Sequence, residues 1–143
     1  MSDIKITRIT AKKRMITFIP ITVFIALFSF IYELNGHGIY SNYMIYAFVP
    51  TFLGGVVFWL LVMLLEKTNG LHKIDILTAN TWFVNLWSAA IATITMGMLF
   101  KGALDIYGTT SNLTKVYWIV TVILFVLAII SVCIGHKQIL PKK

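Results

Sequence analysis

Four stretches of this chain, residues 15–32, 43–65, 81–100 and 116–134, contain no Asp, Glu, Lys, Arg or His. A bilayer's hydrocarbon core is about 30 Å thick, and a helix needs roughly 20 apolar residues to cross it. Four spans of that kind, with their connections, use up all 143 residues. Connections this short make neighbouring helices antiparallel. The spacing therefore predicts an all-α integral membrane protein. It would be a four-helix bundle with short loops, one transmembrane domain over residues 1–143. Only 12% of the residues are charged, against about 25% in soluble domains, and the mean hydropathy is +0.88.

The formal charge of +7 raises the question of nucleic acid, but the basic residues flank the apolar runs. There they act as orientation signals and as contacts for anionic lipid. The lipid bilayer is the expected partner, and no nucleic acid is. The amino terminus, the middle loop and the carboxyl terminus hold every Lys and Arg except Lys101 and Lys115. Both termini are therefore expected on the cytoplasmic side. The brevity of the chain fits the plasma membrane of a bacterium. Lys12-Lys13-Arg14 ahead of an apolar run has the form of a signal peptide. However, no A-x-A-like cleavage site follows and further spans do, so the first run reads as an anchor.

Each span carries a stripe of small or polar residues at helical spacing. In the third span Thr81, Asn85, Ser88, Ala89, Ala92 and Met96 share one side, with Phe83, Trp87, Ile91, Ile94 and Met98 opposite. Membrane helices pack on small and polar faces, so the Asn85 side is predicted to face the bundle. In the first span the stripe is Thr22, Ala26, Ser29 and Glu33. In the second it is Ala47, Thr51, Gly54 or Gly55, and Phe58, with a kink expected at Pro50. In the fourth it is Thr121, Phe125, Ala128 and Ser131. The candidate polar interior is thus Thr22, Ser29, Glu33, Asn85, Ser88 and Thr121. There is also an internal echo. Ile31-Tyr32 followed by Ser41-Asn42 resembles Ile106-Tyr107 followed by Ser111-Asn112, and unequal spacing makes chance the simpler explanation.

No ionisable side chain lies in the middle of a span, which argues against a proton- or ion-coupled transporter. The candidate outer-loop cluster is Glu33, His37 and Asp105. Brought together, these would have the chemistry of a metal site. Solvated loop residues and helix caps are the plainer reading, with Glu33 hydrogen-bonded or ion-paired to Lys101. His72 and His136 belong to the cytoplasmic side, and no facing pair of histidines exists for haem. Cys133, the one cysteine, reads as a packing residue and excludes an internal disulfide. Asn112-Leu113-Thr114 matches the glycosylation sequon but abuts the fourth span. No nucleotide loop, catalytic triad or metalloprotease pattern is found. No cofactor and no resident metal are expected. The leading expectation is a non-enzymatic accessory or regulatory subunit of a membrane assembly. Its partner would be a second copy of the chain or another membrane protein. The alternative is a homo-oligomeric pore or carrier for a small solute.

Overall fold

The computed structural model describes residues 2–36, 38–69 and 80–139, with side chains described for 11–36, 38–65 and 80–134. Among these residues all regular structure is helical. The helices are α1 (Ser2–Leu34), the short α2 (Asn42–Ile45), a π-helical segment (Thr51–Val57) continuing into α3 (Phe58–Asn69), α4 (Thr81–Ile106) and α5 (Leu113–Ile139). Three helices contain stretches long and apolar enough to cross a membrane: Ala11–Leu34, Thr81–Ile106 and Leu113–Ile134. The second expected span differs, because its uninterrupted apolar helix covers only Thr51–Leu65.

Proline chemistry explains the difference. Pro50 has no N–H, and its ring crowds the carbonyl four residues earlier, that of Tyr46. The chain responds by leaving the α-helix after Ile45. Tyr46 ends α2, and its carbonyl takes a tighter bond from the Val49 N–H at 3.0 Å. Helix resumes at residue 49 and at once widens to π spacing, so that the Phe58 N–H reaches back to the Leu53 carbonyl. Where such a ladder returns to α spacing, one carbonyl loses its helical donor. The next carbonyl in sequence is that of Gly54, and the Trp87 indole N–H donates to it at 2.9 Å. The expected kink at Pro50 is thus a full break followed by a π turn, closed by a side chain from α4.

Packing follows the chain. α1 lies against the π segment, α3 and α2, while α4 lies against α5, α2 and the π segment. The α1 seam of Ala11, Phe18, Thr22, Ile25, Ser29 and Glu33 is buried, at steps of three, four and seven residues that keep one face toward a partner helix. Gly54 and Gly55 let two neighbours approach on two sides. A Cβ on Gly54 would lie 2.8 Å from Ile91 Cδ1, and one on Gly55 would collide with the Phe18 ring. The core cluster draws on all four helical limbs through Ala11, Trp59, Val62, Phe83, Val84, Ile91 and Ala128. At its centre Trp87 stacks on Phe58 (4.4 Å between centroids) and meets the Phe125 ring edge-on (5.2 Å).

The interior face of α4 is the reverse of the sequence expectation. Phe83 and Ile91 are buried and Trp87, Ile94 and Met98 half-buried. Thr81, Asn85, Ala89, Ala92 and Met96 are exposed, with Ser88 half-buried between them. The reason is steric, since the glycines of the broken helix leave room for large α4 side chains.

Two devices fix the ends of α4. Asn80 caps its start by accepting the Phe83 N–H at 3.2 Å, and its amide clips the far end of α5 through the Ser131 carbonyl at 2.9 Å. At the other end Gly108 takes φ 68°. The Thr109 N–H reaches the Leu104 carbonyl and the Gly108 N–H reaches that of Asp105, which is a Schellman stop. Replacing Trp87 by Phe keeps the stacked ring but leaves the Gly54 carbonyl buried without its donor. A loss of about 1–3 kcal/mol of stability is expected, measured by thermal unfolding in detergent, with little change in helix content.

Candidate functional site

Among the described residues, polar side-chain contacts concentrate where α1 and α4 end and α2 begins. Glu33 lies in the last turn of α1 and is only 7% exposed. Asn35 closes that helix by bonding back to the Ile31 carbonyl through both its N–H and its side-chain amide. A turn at Gly36 then brings the chain back to Ser41. The Ser41 N–H donates to Glu33 Oε1 at 2.9 Å, and its hydroxyl donates to Asp105 Oδ2 at 3.1 Å. Asp105 Oδ1 is held by Lys101 Nζ at 2.6 Å, one turn back on α4. The same ammonium sits 5.7 Å from the Tyr43 ring centroid, within cation–π range. Glu33, Ser41, Asp105, Lys101 and Tyr43 thus form one chain of contacts joining three helices.

Close backbone approach makes this possible. A Cβ on Gly102 would lie 2.8 Å from the Met44 backbone nitrogen, so α2 seats directly on α4. Ser41 occupies the cap position of α2 with extended backbone (φ −118°, ψ 123°) but makes no cap hydrogen bond. Its hydroxyl goes to α4 instead.

Of the outer-loop cluster, Glu33 and Asp105 are joined through Ser41, while His37 lies outside the described residues. His72 and the middle loop also lie outside them, as does the side chain of His136. Lys101 serves Asp105 and not Glu33. Of the candidate polar interior, Thr22, Ser29 and Thr121 are buried and Ser88 is half-buried. Asn85 is exposed on α4, outside the interior assigned to it, because that helix presents its large side chains inward. The Thr22, Ser88 and Thr121 hydroxyls donate to the carbonyls of Phe18, Val84 and Tyr117, four residues back on their own helices. These groups do not converge on one channel, since Thr22 and Ser29 lie in the α1 seam, Thr121 faces α4 from α5, and Asn85 points outward. Cys133 is exposed rather than packed.

The echoed pairs Ile31-Tyr32 and Ile106-Tyr107 do meet. With Phe28, Asn35, Gly36 and Ile39 they line a groove of about 380 Å³.

Sequence reasoning missed three contacts: the Asn80 cap, the Lys101–Asp105 pairing and the Ser41 bridge. Asn80, just ahead of the third span, stands at a cap position with a readable signal. Lys101 and Asp105 have the i, i+4 spacing of a helical ion pair. The bridging role of Ser41 leaves no signal, because it depends on how the loop folds back. Comparison with protein-family models, curated proteins and solved structures returns no match.

Replacing Ser41 by Ala removes the hydroxyl to Asp105 and keeps the N–H to Glu33. A loss of about 1 kcal/mol is expected. Asp105→Leu should cost more, because it also frees the Lys101 ammonium. Unfolding midpoints of the two variants in detergent check the order.

Proposed function

We propose that this protein is a non-enzymatic subunit of a membrane assembly, crossing the bilayer four times with both termini in the cytoplasm. The observation that supports this reading is the outward face of α4. Asn85, Ala89, Ala92 and Met96 are exposed and recur at steps of four, three and four, the spacing of a helix–helix seam. The Asn85 amide has no hydrogen-bond partner among the described residues. A lipid-facing surface looks different, and on α1 and α5 it is made of Phe24, Phe30, Val122 and Ile129, each more than 60% exposed. Small residues let a second helix approach closely, and an amide that both donates and accepts can pair with its own copy or with another polar group.

The pore alternative draws less support. Its lining would be Thr22, Ser29, Asn85, Ser88 and Thr121. Three of those hydroxyls are engaged by their own helices, and Thr22 and Ser29 in the α1 seam lie apart from Thr121 on α5 and from the exposed Asn85.

Asn85→Leu and Ala92→Leu separate the readings. For a docking face, both should lower the assembled fraction after gentle extraction, read by native mass spectrometry, while the unfolding midpoint holds. Interhelical amide bonds contribute on the order of 0.6–2 kcal/mol, so the Asn85 variant should weaken association by about three- to thirty-fold. An unchanged assembly in both variants would remove the reading. Loss of solute flux with assembly intact would favour the pore.

A further inference from the structure

Two buried oxygens on α1 stand out. Ser29 Oγ and Glu33 Oε2 are shielded from solvent and have no hydrogen-bond partner. Their residues are 3% and 7% exposed. Being four residues apart, they stack on one face of α1, within the seam that packs on α2 and the π segment. Ser29 departs from the habit of the other helix hydroxyls. Those of Thr22, Ser88, Thr95 and Thr121 each bond to the carbonyl one turn back. Ser29 has the same option and leaves its oxygen open beneath Glu33.

The charges around this pair do not cancel. Lys101 is held by Asp105, and that ion pair does not include Glu33. Asp105 thus has an ammonium partner, and among the described residues the buried Glu33 carboxyl has none. Burying a carboxylate with one oxygen unpaired is costly, and a bound cation relieves the cost. Carboxylate and hydroxyl oxygens are hard donors that favour alkali and alkaline-earth ions. One uncompensated charge matches a monovalent ion. A divalent ion wants more carboxylates, and the described residues contain no group of three His, Cys, Asp or Glu side chains that would hold one.

We propose that Ser29 and Glu33, beneath the Ser41–Asp105–Lys101 bridge, form a site for a small monovalent cation, sodium, that holds the outer ends of α1, α2 and α4 together. The site is independent of the α4 docking face. The test is thermal unfolding of the purified full-length protein in detergent. Sodium chloride is titrated against choline chloride at fixed ionic strength and pH. The midpoint should rise saturably with sodium and not with choline. Ser29→Ala should raise the half-saturating sodium concentration about tenfold, the equivalent of roughly 1.4 kcal/mol, and Glu33→Gln should abolish the response. Equal midpoints in the two salts would overturn the proposal. So would a sodium response that survives both substitutions, or a saturable response to calcium in place of sodium. If Glu33→Gln fails to fold, the wild-type titration and Ser29→Ala still decide.

Discussion

A helix that breaks inside an apolar layer has to find partners for the backbone groups it frees. That constraint organises this protein. Pro50 forces the break and the π turn that follows leaves the Gly54 carbonyl over. The Trp87 indole then fixes α4 against it at 2.9 Å. Because Trp87 points inward, so do Phe83 and Ile91, and the small residues of α4 are left outside. The same break lets α2 turn aside and seat on α4 at Gly102. That seating carries Ser41 between Glu33 and Asp105. The aromatic core and the polar cluster both follow from one proline and the groups that compensate for it.

The two ends of the molecule are built differently. The core cluster is apolar and aromatic, with Phe58, Phe83, Trp87 and Phe125 in mutual contact. Its specificity comes from shape. At the α1–α2–α4 end, specificity comes from a relay of hydrogen bonds and one ion pair. Each partner there depends on a backbone turn being in place, Gly36 on one side and the Schellman stop at Gly108 on the other. A bundle with little interior gains a unique arrangement from such contacts, because dispersion alone would tolerate sliding of one smooth helix on another.

Much of this was legible in the sequence. Length and the lack of charge locate α1, α4 and α5, because both are properties of a segment by itself. The seams of α1 and α5 are legible too, since each packs on one side only, and Thr22, Ser29, Glu33, Thr121 and Ala128 are buried. The α4 face was not. It sits between two neighbours, and which side takes the large residues depends on the space that Gly54 and Gly55 leave on another helix. Pro50 announced a disturbance, but a π turn has no sequence signature beyond it. Glu33 was legible as an inward carboxylate. Its partner was not, because Ser41 reaches it only through the fold of the connecting turn.

The central claim is that the broken helix brings Ser41 onto the C-terminal end of α4 within a single chain. Disulfide cross-linking in native membranes tests it most directly, with Ser41→Cys and Asp105→Cys paired in a Cys133→Ser background. The account predicts rapid formation of an intramolecular bond under mild oxidant, with the monomer band shifted and neither single variant responding. If oxidation gives no intramolecular product, or cross-links only between chains, α2 does not seat on α4 and the arrangement built on that contact is wrong.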